Sequence, residues 1–404
     1  MLSQAGVYTH LASDHYHYWE DGGATYHSRY DSWQFFRGQE GDPHIGQVAE
    51  PHIPKNINGK SRRSDWVNRM YVKSEADLPQ SQTARAGLEF IERNRREDSW
   101  FLQIECFDPH EPFVSDRKYE DLYPEPYEGA LFDWPGYQPV TETPEEIDGV
   151  RRKYAALLSK CDATLGDVLD AFDRFDLWKD TMLIVWTDHG FLLGEHDAWA
   201  KNWMPLYEEV AHTPFFVWDP REPGTAGQHR RALVQPSLDL GPTLLNFFRL
   251  SSTQDMRGKD LTPVIKKDEK VREAALFGYH GRAANVTDGR YVYMREPVFE
   301  DEGPIFTYTL IPLAMRNFKV GAQTEIELAG PLSFSKGTKV MRFGRETDGS
   351  RKGAPGHKLF DLDSDPHQSK SLSDPETEQR LSKLMVELMR DCSAPEEQYI
   401  RLGL

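Results

Sequence analysis

The stretch from Thr143 to Phe172 limits the fold more than any other part of the chain. Its apolar residues recur at Ile147, Val150, Tyr154, Leu157, Leu158, Cys161, Leu165, Val168, Leu169 and Phe172, a three-and-four spacing that gathers them on one face of an α-helix. Thr143-Pro144-Glu145-Glu146 supplies the start: a hydroxyl N-cap, a proline at the first helical position where no N–H is needed, and a glutamate placed to reach back to the cap. Short apolar runs lie on both sides. Ser99 to Phe107 is rich in β-formers and stops at Asp108-Pro109, whereas Met182 to Trp186 is too short for a helix and ends in Thr187-Asp188-His189-Gly190. Strand, long helix, strand is a crossover, and crossovers join parallel strands. The expected fold class is therefore α/β, a mixed or parallel sheet flanked by helices.

Other segments extend this outline. Leu2 to Leu11 reads as a helix end, Gly6, and then a strand; Thr213 to Trp218 reads as a further strand; Ser237 to Phe248 reads as a helix. After about Val264 the texture changes. A hairpin around Asp288-Gly289, a strand from Lys358 to Leu362 and a helix from Pro375 to Met389 predict an antiparallel, α+β C-terminal region. The division expected is 1–264 for the α/β domain and 265–404 for the smaller one.

With 65 Asp and Glu against 48 Lys and Arg, the net charge is −17. Such a field repels nucleic acid and anionic membranes, so neither is expected as a partner. Lys55 to Arg63 is the one short cationic cluster, and it reads as a solvated loop rather than an anion site. No apolar run approaches the roughly 20 residues of a membrane span, and no basic-then-apolar leader opens the chain. The chain as given is expected to be soluble, and three scattered cysteines, Cys106, Cys161 and Cys392, are compatible with the cytoplasm.

Chemistry-bearing residues cluster where strands end, as ligand-binding residues do in parallel sheets. Ser13-Asp14-His15-Tyr16-His17 follows the first strand, and His15 and His17 project the same way if the backbone stays extended. In Asp108-Pro109-His110-Glu111-Pro112-Phe113 two prolines restrain the backbone around His110, which could bind an oxyanion or protonate a leaving oxygen. In Thr187-Asp188-His189-Gly190 the carboxylate and imidazole can reach one divalent cation, with Lys201 downstream as a partner for an anion. Surface imidazoles, a rigid turn and an Asp-His-Gly turn are the respective structural alternatives. Gly278-Tyr279-His280 reads as packing.

Taken in order, Thr187-Asp188-His189-Gly190-Phe191-Leu192-Leu193-Gly194-Glu195-His196, Lys201, Tyr207-Glu208-Glu209 and Thr213-Pro214-Phe215 closely resemble the C-terminal metal segment of sulfatases. Asp108 to Phe113 is similar to that family's His-x-Pro loop, and Ser237 to Leu245, Thr287 to Tyr291 and Lys358 to Pro366 also look like the family. The resemblance implies an alkaline-phosphatase-like fold with a smaller C-terminal antiparallel-sheet domain and hydrolysis of a sulfate ester, on a sugar or aryl group. It implies one divalent cation, Ca2+ by family precedent, with Asp188 and His189 as ligands. It also implies that Lys201 and His110 meet the sulfate group and bridging oxygen, that His17 matches a substrate-binding histidine, and that His15 stands where family members carry lysine. Sulfatases also carry an N-terminal Asp-Asp pair and a Cys-or-Ser-x-Pro-x-Arg motif that matures to formylglycine. The 404 residues contain no such motif; Cys392-Ser393-Ala394-Pro395 has its proline one place late and lacks the arginine. The expectation is a chain that lacks the nucleophile segment. A phosphonate monoester hydrolase or phosphodiesterase, and a non-catalytic fragment of the fold, are the alternative readings.

Overall fold

A computed structural model describes residues 1–124, 126–299, 303–311, 325–344 and 356–404. The chain divides into two compact units; the first holds Met1–Thr181 and Leu193–Ala200, the second Met182–Leu192 and the described residues after Ala200.

In the first unit the expected helix end is a single 3-10 turn, Ser3–Ala5, closed by Gly6 in the left-handed region at φ 84°. The strands are β1 (Tyr8–Ser13), β2 (Ser32–Phe35) and, after helices α1 (Arg63–Tyr71) and α2 (Pro79–Asn94), β3 (Trp100–Glu105). Their order is β2-β1-β3 and every pairing is parallel, with Tyr8 opposite Trp100 and His10 opposite Ser32. The parallel sheet is thus present, and α2, which packs on β1 and β3, is the helix of its crossover. Gly87 makes that packing close: a Cβ there would stand 2.4 Å from Ile104 Cδ1. Helix α3 (Pro144–Phe175) begins with the anticipated capping box, Thr143 accepting from Glu146 N and Glu146 accepting from Thr143 N, and buries Val150, Leu157, Val168 and Phe172.

The second unit begins with β4 (Leu183–Trp186), and this corrects one expectation. β4 pairs antiparallel with β5 (Phe215–Trp218), Leu183 opposite Trp218 and Trp186 opposite Phe215, so its hydrogen bonds do not go to β3 and the crossover through α3 is not formed. The two four-residue runs match in length and place apolar pairs opposite each other throughout, which is what sheet pairing selects. Helix α4 (Pro236–Phe247) follows.

The expected hairpin is β7 (Ala284–Thr287) and β8 (Tyr291–Arg295), turned at Asp288-Gly289-Arg290 with Gly289 at φ 95°; β6 (Ala275–Gly278) pairs with β7. β9 (Phe306–Thr309), β10 (Ile326–Ala329) and β11 (Val340–Gly344) form a separate antiparallel sheet, and β12 (Lys358–Asp361) pairs with β8. Helix α5 (Pro375–Asp391) lays Leu381, Met385 and Met389 against Val286, Tyr293 and Leu359. The C-terminal region is therefore antiparallel with a packed helix, as its patterning implies.

Candidate functional site

Two loops of the first unit carry three of the candidate residues, and the Phe107 ring joins them. Its centroid lies 4.3 Å from that of His110, 5.4 Å from His15 and 6.3 Å from His17; His15 and His17 are themselves 5.0 Å apart. One loop leaves the carboxyl end of β1 and the other the carboxyl end of β3. These strands are adjacent and parallel, so residues 92 positions apart, such as Ser13 and Glu105, meet at one edge.

Two of the three imidazoles have a fixed partner on Nδ1. His110 Nδ1 donates to the carbonyl of Glu111 at 2.6 Å, and the buried Glu111 carboxylate lies 3.2 Å from the same nitrogen through Oε2 while Oε1 accepts from Tyr137 at 2.8 Å. His17 Nδ1 donates to Glu20 at 2.6 Å. A histidine that donates through Nδ1 to an oxygen has its tautomer set. His15 is held by its backbone N–H, which donates to Ser13 Oγ at 3.0 Å.

Beneath these loops lies a polar network that sequence reasoning did not assign. Asp14 is buried, accepts from Phe107 N at 2.7 Å and from Gln39 Nε2 at 3.2 Å, and its carboxyl is pushed up to about 8 by burial and by the neighbouring Asp108. Asp108 is raised by burial, against the pull of Lys160. Lys160, 1% exposed, donates to Gln80 Oε1 and lies 3.3 Å from Asp108 Oδ2. One signal was visible: Lys160 interrupts the apolar face of α3 one turn after Leu157. Burial and nearby carboxylates also raise the thiols, Cys106 well above its ordinary value and Cys161 to about 12.

The remaining candidates belong to the second unit. Asp188 and His189 follow β4; His189 Nδ1 donates to Gly190 O at 2.9 Å, and His189 Nε2 lies 3.4 Å from Asp188 Oδ2. The pair fits a cation as two ligands of a larger set, because the ring's Nδ1–H is already taken by a carbonyl and a lone pair on Nε2 stands beside a carboxylate oxygen. Among the described residues no group of three or more His, Cys, Asp or Glu side chains could hold a metal. Gly190 shapes this turn: a Cβ there would lie 1.9 Å from Glu209 O. Lys201 is buried, next to Ala200 at φ 72° and Asn202 at φ 75°, and the Asn202 N–H donates to Tyr279 OH at 3.0 Å. That bond ties the Tyr279 hydroxyl to the Asn202 backbone. The cationic segment is engaged in local contacts, with Lys60 3.6 Å over the Tyr137 ring and Arg62 3.1 Å from Glu40. No helix among the described residues is long and apolar enough to cross a membrane.

Comparison with known proteins bears on this geometry. The family model described as Sulfatase matches residues 1–250. A sulfatase of Formosa agariphila is 29% identical over 251 residues, 57% of this chain and 48% of that protein. The chain spans about half the length of the curated relatives it matches. Among solved structures, one in complex with its substrate D-glucosamine-2-N,6-O-disulfate superposes with a TM-score of 0.60 at 13% identity, covering 98% of this chain and 82% of that one. The phosphonate monoester hydrolase of Agrobacterium radiobacter gives 0.60 at 15% identity, covering 96% and 79%. At such identities the likeness is one of fold.

Proposed function

This chain belongs to the sulfatase family, and from that premise we propose that it is the sulfate-binding and proton-donating part of a hydrolase acting on a sulfate ester, carried on an alkaline-phosphatase-like fold. In this reading 1–264 is the catalytic α/β domain and 265–404 the smaller one. The observation that carries it is the convergence of His15, His17 and His110 around Phe107.

A sulfate ester presents anionic oxygens and one bridging oxygen that leaves with the alcohol, so its hydrolysis needs cationic donors, an acid and a nucleophile. His110 is the acid: with Nδ1 bound to the Glu111 carbonyl and the Glu111 carboxylate beside it, a protonated ring directs Nε2–H toward a leaving oxygen. His17, oriented by Glu20, and His15 donate to the sulfate oxygens; Lys201, in the second unit, is assigned to an anion by the family resemblance. Asp188 and His189 would hold a divalent cation, Ca2+ by family precedent, which when bound supplies positive charge. The attacking group is assigned to a formylglycine on a Cys-or-Ser-x-Pro-x-Arg segment, which these 404 residues do not include. The substrate class is a small sulfated molecule; sulfated sugars are favoured because a fold relative was solved with one.

The test is binding, which does not require turnover. The chain is titrated by calorimetry with 4-nitrocatechol sulfate, glucosamine 6-sulfate and phenyl phosphonate, with and without calcium. Sulfate esters should bind, and His110→Ala should weaken them. Binding of the phosphonate with no binding of either sulfate would replace this reading by the phosphonate hydrolase one, and binding of none would leave the fold without this chemistry.

A further inference from the structure

The buried network under the histidines has a definite layout. The Gln39 amide nitrogen donates to both Asp14 Oδ2 at 3.2 Å and Asp108 Oδ1 at 3.1 Å. Asp14 immediately precedes His15, and Asp108 stands two residues before His110, so one amide clamps the two histidine-bearing loops. A second tie crosses the same gap, because Asp14 Oδ1 accepts from the backbone N–H of Phe107, whose ring touches all three histidines. Below, Lys160 reaches from α3 to Asp108 and to Gln80 on α2. Asp14 and Lys160 are each 1% exposed. A buried polar group lacking a partner costs about 1–3 kcal/mol, more if charged, so a network this deep is retained only where its members are satisfied.

We propose that Asp14, Gln39, Asp108 and Lys160 are positioning residues that fix the spacing between the His15/His17 loop and the His110 loop. The inference rests on the reading of those histidines as sulfate-binding only for its consequence on affinity; the coupling of the loops stands on the bonds themselves. The two carboxylates have different states. Among the described residues Lys160 is the one cation bonded to the network and meets Asp108, giving an ion pair, whereas burial and the neighbouring Asp108 outweigh the two N–H donors at Asp14 and hold it as the neutral acid. The Cys106 and Cys161 thiols beside it remain protonated. Neutral and charged members answer differently to the same Asp→Asn change. At Asp14 an amide replaces a neutral acid of equal shape, its oxygen still able to accept from the Phe107 N–H. At Asp108 it strands a buried ammonium.

The experiment follows the imidazole C–H signals of His15, His17 and His110 in the full chain by NMR, assigned by single His→Gln variants. Inorganic sulfate is the titrant and thermal melting the control. Asp14→Ala should move the signals of both loops together and weaken sulfate by about ten- to a hundredfold. Asp14→Asn should restore both to within about threefold of the parent. Asp108→Asn should resemble Asp14→Ala, and joining it with Lys160→Met should recover part of the loss by removing the stranded charge. If Asp108→Asn does not fold, the Asp14 pair and the double variant still decide the matter. The proposal is overturned if Asp14→Asn is as damaging as Asp14→Ala, or if the variants move His110 while His15 and His17 stay in place. A parent chain that binds no sulfate but shows the coupled shifts would reject the sulfate reading and retain the positioning network.

Discussion

Replacing Asp14 by asparagine should make this protein more resistant to alkaline pH. A carboxyl held up to about 8 in the folded chain, against roughly 3.9 in an unfolded one, keeps its proton on folding and must lose it as the pH rises. Between those values the folded state binds more protons than the unfolded state, so stability falls with pH by up to about 1.4 kcal/mol per unit for this group. The stability is fully present below about pH 4 and is lost on approaching pH 8. Over the three units from pH 5 to pH 8 the group contributes up to about 4 kcal/mol of loss, large beside the 5–15 kcal/mol of total stability typical of domains. Asparagine has no such proton, and every other titrating group is common to both proteins. The assay is urea unfolding of parent and Asp14→Asn at half-unit steps from pH 5 to 8.5, read by tryptophan fluorescence; Trp134 and Trp199, both buried in the first unit, report the relevant transition. The stability difference should move in favour of the variant by several kcal/mol as the pH rises. Parallel curves, with a difference constant to about 0.5 kcal/mol, a typical limit for independent sites, would mean that Asp14 ionises normally, and the neutral-acid argument would fail.

Three further outcomes are expected. Asp239→Ala should destabilise the second unit by about 3–5 kcal/mol, since this buried carboxylate accepts from Gln235 N, Lys259 N and both terminal nitrogens of Arg272; a shift in urea midpoint equivalent to less than 1 kcal/mol would contradict it. Asp188→Ala should lower calcium affinity in calorimetry by about tenfold or more with unchanged circular dichroism, because the side chain is 72% exposed and lies past β4; equal affinity would remove the metal assignment. Gly190→Ala should lower the melting temperature and disturb the His189 NMR signal together, since the new Cβ would meet the Glu209 carbonyl at 1.9 Å; a stable protein with an unmoved His189 signal would refute the close approach.

Legibility from sequence followed how local the determining physics was. Helix α3 and hairpin β7–β8 were readable because a capping box, a helical period and an Asp-Gly turn specify them within a few residues. The candidate histidines were readable for a related reason, as each sits in a short cluster where a strand ends. Pairing was harder. The Leu183–Trp186 run is compatible with any apolar neighbour, and its choice of Phe215–Trp218 depends on residues about thirty positions away. Helix α2 escaped notice because it packs through Ala84, Ala86 and Gly87, small residues that leave a faint apolar stripe yet permit the close approach to Ile104.

The buried network shows the same limit at the site itself. Asp14 and Asp108 lay inside the quoted clusters, but nothing local distinguishes a carboxylate facing water from one facing another carboxylate. What distinguishes them is Lys160, on a helix 52 residues beyond Asp108. A lysine on the buried face of an amphipathic helix breaks the pattern that identifies the helix, and its burial requires an acid opposite it. Here that acid is Asp108, so the ion pair is filled and Asp14, the second carboxylate of the cluster, is left to hold a proton. The misfit in the helix pattern therefore determines which of the two loop acids is charged, although neither acid lies near it in sequence.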